Sequence, residues 1–120
     1  MQYILLIYAN ETANAEAMKG ATPEEQQAAM GRWFAYTKEL RDAKAYVAGD
    51  ALQPTGTATT VRLRSGERMI TDGPFAETKE QLGGYYLIEA EDLDEALVWA
   101  EKCPGAVNGS IEVRPIMVFE

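Results

Sequence analysis

The sequence predicts an α+β fold in the order β-α-β-(hairpin)-β-α-β: an antiparallel sheet with two helices on one face. Three observations carry that reading. Apolar runs with strand character open and close the chain, at 2–9 (QYILLIYA) and 110–119 (SIEVRPIMVF). Two capping boxes, Thr22-Pro23-Glu24-Glu25 and Asp92-Leu93-Asp94-Glu95, mark a helix start in each half. Between the halves, the β-branched run 58–64, the dipeptide Ser65-Gly66 and the return run 67–71 spell a hairpin.

In the first strand both alternating sets are apolar: Tyr3, Leu5 and Ile7 on one face, Ile4, Leu6 and Tyr8 on the other. A strand of that kind is buried on both sides. Residues 10–21 are small and polar and are expected to form a loop. The first helix is predicted at about 23–43, with a stripe of Met30, Trp33, Phe34, Thr37 and Leu40. Trp33 and Phe34 are expected as core anchors, with an aromatic ligand cage as the alternative. A second strand follows at 45–52, where Gly49 marks a bulge or a close approach, and 53–57 is a loop. Residues 84–90 form another strand. The second helix spans 93–103, with Ala96, Leu97, Ala100 and Cys103 along one face, and Pro104-Gly105 stops it. In the last strand Ile111, Val113, Met117 and Phe119 fall on one face, Glu112 and Arg114 on the other.

Two halves of this kind make a ferredoxin-like sheet with both helices on one side. The first strand and 84–88 are nevertheless apolar on both sides. The simplest cover for the second side is another copy of the chain, sheet facing sheet, in a two-fold dimer.

The chain of 120 residues fits a single domain, 1–120, with no internal repeat or linker. Its 11 basic and 19 acidic residues give a net charge of −8. That balance repels phosphate backbones and anionic lipid, so neither nucleic acid nor membrane is expected as a partner. Arg62, Arg64 and Arg68 form the one basic cluster, with Glu67 among them. The apolar start is read as a strand rather than a leader, and no run approaches the ~20 apolar residues that span a bilayer. The lone Cys103 fits a reducing, cytoplasmic setting. There is no histidine, which removes the commonest general base and metal ligand and excludes a serine triad. No metal site and no cofactor are expected.

The stretch DGPFAETKEQLGGYYLIEA (72–90), with YILLIYA (3–9) and WAEKCPGA (99–106), resembles the DGPF (DGPFAETKE) branch of the YCII-related superfamily over essentially the whole chain. The resemblance implies a ferredoxin-like domain assembled as a dimeric α/β barrel. It implies less about activity: some relatives are linked to dehydrochlorination of hydroxylated chloroaromatics, and similar barrels include lactone isomerases and monooxygenases. Genes of the branch it resembles often lie beside extracytoplasmic-function sigma factors, which implies a regulatory setting. Shorter members carry a His on the first helix and an Asp at the end of the second as the proposed acid–base pair. By alignment these fall at about Arg32 or Trp33 and at Cys103, so this chain lacks both.

The motif itself supports two readings. Asp72, Gly73 and Pro74 are explained by turn geometry alone, with Asp72 closing an Asx turn. On the functional reading, Asp72 is a partly desolvated general base. Glu77, Lys79 and Glu80 are usually a solvated loop; Glu77 and Glu80 would be neighbours if the run were helical. Folded over a barrel mouth, Lys79 would instead hold a ligand oxyanion. Phe75, Glu77, Glu80, Tyr85 and Tyr86 are the candidate ligand contacts, with Tyr85 and Tyr86 on opposite faces of their strand. Gly83 and Gly84 allow close backbone approach or a bulge. Cys103, at a helix C-terminus, reads as a small buried hydrophobe rather than a nucleophile.

The leading expectation is a dimer that binds a small polar or aromatic molecule, with cofactor-free proton-transfer or elimination chemistry if it is an enzyme. The alternative is a regulatory or interaction protein working with a sigma factor. A dimeric-barrel monooxygenase is a third possibility.

Overall fold

A computed structural model describes residues 1–119. Six strands and three helices follow one another as β1 (Gln2–Ala9), α1 (Glu11–Gly20), α2 (Pro23–Asp42), β2 (Tyr46–Ala51), β3 (Thr59–Arg64), β4 (Glu67–Asp72), β5 (Gln81–Glu89), α3 (Leu93–Lys102) and β6 (Ser110–Pro115). Strands β2-β5-β1-β6 form one antiparallel sheet, and β3 and β4 pair only with each other. This is the expected α+β order, with the hairpin standing apart from the main sheet.

The core lies between the sheet and helices α2 and α3. Tyr3, Leu5, Ile7, Tyr86 and Ile88 meet Tyr36, Leu40, Ala96, Ala100 and Cys103 there. Leu5, Leu40, Ile88 and Cys103 are fully buried, and burying a leucine or isoleucine stabilises by about 1.5–3 kcal/mol. The ring of Tyr36 meets Tyr86 and Trp99 edge-on, at centroid distances of 5.3 and 6.3 Å. Its hydroxyl donates to the Trp99 carbonyl at 2.7 Å.

Several expectations need correction. Residues 11–20 are helix, not loop. Asn10 caps α1 by accepting the Ala13 N–H at 2.9 Å, and the alanines favour helix by propensity. No residue of α1 is buried, so there was no apolar periodicity to read. On α2 the buried stripe is Tyr36 and Leu40, with Trp33 packed beside them; Met30 and Phe34 are exposed. The stripe is rotated toward Tyr36, which carries Phe34 out of the core. Leu97 on α3 is exposed as well. The last strand ends at Pro115, since proline cannot donate to a ladder, and Met117 and Phe119 lie exposed beyond it.

Other expectations hold. Thr22 and Glu25 form a reciprocal capping box, and Ser65 and Gly66 both have positive φ, the signature of a two-residue hairpin turn. Gly49 is a close-approach point: a Cβ there would stand 2.7 Å from the Tyr86 ring. Among the described residues, no helix is long and apolar enough to cross a membrane.

The chain is flat, 49 × 48 × 19 Å, with a radius of gyration of 16.6 Å; a compact domain of this length has about 14 Å. Its accessible surface is 8918 Å², against about 6,400 Å² for a folded monomer of the same mass. The excess is about 2,500 Å²; the uncovered sheet face, the hairpin and helix α1, none of whose residues is buried, all expose surface.

Candidate functional site on the open sheet face

The register of the sheet sorts every strand residue onto one of two faces. On the face opposite α2 and α3, Ala48, Leu87, Ile4 and Arg114 form one row, and Asp50, Tyr85, Leu6 and Glu112 the next. A third row holds Leu82, Tyr8 and Ser110. Ile4, Leu6, Tyr8, Tyr85 and Leu87 are half-buried, while Asp50, Glu112 and Arg114 are exposed. The face is therefore an apolar floor with charged groups along both edge strands.

Two tyrosine–carboxylate pairs flank that floor. Tyr85 donates its hydroxyl to Asp50 Oδ2 at 2.9 Å, and this bond pushes the phenol above its ordinary range. Tyr8 donates to Glu112 Oε1 at 3.3 Å. Glu80 Oε1 accepts from Ser110 Oγ at 2.7 Å, bringing a third carboxylate to the same end of the sheet. Gly84 allows β2 and β5 to run this close, because a Cβ there would lie 2.8 Å from the Asp50 carbonyl. Gly83 sits in the bulge where Ile7 pairs with Gly84 but Tyr8 pairs with Leu82.

The structure divides the residues expected at the site. Tyr85 and Glu80 belong to the open face. Tyr86 belongs to the core, where its hydroxyl meets Thr37 Oγ1 at 2.6 Å and burial pushes its phenol up. Asp72, the last residue of β4, is exposed, as are Phe75, Glu77 and Lys79 on the segment that leads into β5. The run 77–80 is not helical, so Glu77 and Glu80 are not helical neighbours. Instead Gln81 Nε2 donates to the Thr78 carbonyl at 2.6 Å.

The Asx turn at Asp72 does not form, because the residue two positions on is Pro74, which has no N–H. The turn is held by Gly73 N–H on the Ala58 carbonyl (2.7 Å) and by Thr60 Oγ1 on the Gly73 carbonyl (2.8 Å). Gly73 has φ +94°, a conformation that other residues rarely adopt.

Asp50, Glu112 and Tyr8 were missed as site residues. The signal was present in the period of two, which puts Asp50 and Glu112 on the face of Leu6 and Tyr85. It needed the strand register, which the sequence does not spell out. Glu11 was missed too: its carboxylate accepts both the N–H and the hydroxyl of Thr55, at 2.9 and 2.7 Å, while its own N–H donates to Gln81 Oε1 at 3.0 Å. These bonds tie α1, the 55–57 turn and the start of β5 together.

On the helix side, a groove of about 640 Å³ is lined by Arg32, Tyr36, Glu39, Lys102, Cys103 and Val107 among others. The resemblance placed an acid–base pair near here, and the groups present do not supply one. Glu39 is paired with Lys102 at 2.6 Å. Cys103 is 1% exposed, and burial pushes its thiol up. The open sheet face, where two tyrosine–carboxylate pairs stand beside half-buried apolar residues, is the candidate site. Among the described residues, no three His, Cys, Asp or Glu cluster as a metal site.

Fold and face together define a ferredoxin-like α+β domain with one sheet surface unclaimed by its own helices. The chain belongs to the YCII-related family: the YCII-related domain model matches residues 1–120. It is 38% identical over 122 residues to an uncharacterized protein of Rhizobium meliloti (strain 1021), covering 100% of this chain and 95% of that one. Among solved structures it is similar to a 5-chloro-2-hydroxyhydroquinone dehydrochlorinase (TftG) from Burkholderia phenoliruptrix AC1100, in complex with 2,5-dihydroxybenzoquinone. That similarity has a TM-score of 0.52 at 14% identity, over 98% of this chain and 94% of the other, and it concerns the fold.

Proposed function

We propose that the chain works as a two-fold dimer whose open sheet faces enclose a small hydroxylated organic molecule and carry out cofactor-free proton transfer or elimination on it. The observation that carries this reading is the Tyr85–Asp50 bond, 2.9 Å long, on an apolar face that neither α2 nor α3 covers. Asp50 Oδ2 holds the Tyr85 hydroxyl, and a carboxylate has further lone pairs to accept a proton or a ligand hydroxyl. Tyr8 with Glu112 offers the same chemistry at the far side of Leu6. The apolar floor suits the faces of a ring, and closure by a second sheet would remove water and strengthen each polar contact.

The excess surface supports the dimer half of the reading. Covering about 2,500 Å² on each of two chains falls within the upper range of obligate homodimers. Asp72 and Lys79 remain the candidate base and orienting cation of the motif segment. They act on this reading only when that segment lies against the ligand. The structure named for the dehydrochlorinase holds a hydroxylated quinone, which makes hydroxylated and chlorinated rings the first ligands to try.

The test is thermal unfolding against a panel of hydroxylated and chlorinated aromatics, lactones and metabolic acids. It compares wild type with Tyr85→Phe, Asp50→Asn and Asp72→Asn. A ligand that raises the midpoint of wild type but not of equally stable Tyr85→Phe and Asp50→Asn variants supports the site. A shift that survives both substitutions, or no shift with any compound, contradicts it.

A further inference from the structure

The β3–β4 hairpin is a separate two-stranded ribbon, and an isolated hairpin is at best marginally stable in water. Its register puts Val61, Ile70, Leu63 and Arg68 on one face, and Arg62, Met69, Arg64 and Glu67 on the other. Those three apolar residues are 61, 54 and 68% exposed. The base of the ribbon is closed on itself, by the Gly73 and Thr60 bonds and by Arg62 Nη2 on the Phe75 carbonyl at 3.4 Å. An arm about 20 Å long, built from six-residue strands, thus presents an apolar face that its own chain leaves uncovered.

Charge says where that face goes. Residues 62–68 carry Arg62, Arg64 and Arg68 against the single carboxylate Glu67, in a chain of net charge −8; Arg62 is held at Phe75, and Arg68 is the one on the apolar face. None of the ion pairs found among the described residues uses these arginines. The open sheet face has the opposite balance: Asp50, Glu80 and Glu112, against Arg114. The arm's apolar face, with Arg68 at its tip, and the acidic, apolar sheet face are complementary, and both are exposed on the same chain.

We propose that the β3–β4 hairpin docks on a second copy of the chain, laying Val61, Leu63 and Ile70 against that copy and bringing Arg68, which shares their face, to the rim of the copy's open sheet face. The exchange is reciprocal about a two-fold axis, so each face is completed by the other chain's arm. This inference rests on the dimer reading above and deepens it. A face with three carboxylates and one arginine repels an anionic ligand. With Arg68 supplied in trans, the two-chain cleft holds bases and an oxyanion-binding donor together, which fits a hydroxylated ring bearing a negative oxygen.

The test is a charge-swap complementation read by sedimentation equilibrium, with circular dichroism to confirm that each variant is folded. One variant carries Arg68→Glu, which leaves the Arg62 bond at the base of the arm intact. The other carries Asp50→Arg, Glu80→Arg and Glu112→Arg. The expected result is a dimer for wild type, self-association weakened at least about tenfold for each variant alone, and recovery when the two are mixed. If the face variant does not fold, Glu112→Arg alone takes its place. An arm variant that dimerises like wild type overturns the inference and leaves the dimer reading standing. Weakened variants that fail to recover on mixing overturn the docking of arm on face. A wild-type monomer at 100 µM overturns the dimer reading, and this inference with it.

Discussion

Tyr85 and Tyr86 are adjacent in sequence and opposite in role: Tyr85 donates to Asp50 at 2.9 Å on the open face, whereas Tyr86 is bonded to Thr37 at 2.6 Å inside the core. Strand alternation alone separates them. One is free to meet a ligand and the other is committed to packing, so substitutions at the two positions should have different consequences.

At the open face, Tyr85→Phe and Asp50→Asn are expected to leave the unfolding midpoint within about 2 °C of wild type, since both groups are at the surface. Ligand-induced stabilisation should disappear in both. A large loss of stability with ligand response retained would assign the pair a structural role.

In the core, Tyr86→Phe removes a hydroxyl whose partner, Thr37 Oγ1, keeps its bond to the Trp33 carbonyl at 3.0 Å. The expected cost is about 0.5–1.5 kcal/mol, measured by denaturant unfolding. Thr37→Val should cost a similar amount, and the double variant should cost less than the sum, because the two share one interaction.

Alkaline pH tests the same core. Burial pushes the Tyr36 and Tyr86 phenols above the ordinary value of about 10. The unfolded chain therefore loses these protons before the folded chain does. Stability is fully present below about pH 10 and declines as pH rises beyond it. Tyr36→Phe should flatten that decline in denaturant unfolding across pH 8–11, and an unchanged slope would contradict the assignment.

At the motif, Gly73→Ala forces a Cβ into φ +94° and is expected to destabilise by about 1–2 kcal/mol. Asp72→Asn should change stability little, because Asp72 is exposed and closes no Asx turn. Equal losses from both would show that the Asp72 side chain holds the turn.

These contrasts show what a single sequence discloses. Capping boxes, turn dipeptides and strand alternation are local, and they gave the order of strands, helices α2 and α3, and the hairpin. Helix α1 escaped because alanine propensity without an apolar stripe looks like a polar loop. Phe34 was misplaced because five apolar or neutral positions at helical spacing do not say which side of the stripe meets the sheet. The site was half legible: Tyr85 and Glu80 lie on the conspicuous motif, but Asp50 and Glu112 join them only through the β2–β5 and β1–β6 registers. Pairing between distant strands is decided by the packed sheet and not by either strand alone.

The most direct measurement is sedimentation equilibrium of the wild-type chain at micromolar concentration. A covered open face predicts a species of about twice 13.2 kDa. A stable monomer of 13.2 kDa would leave that face and the projecting hairpin in water, and would contradict the account.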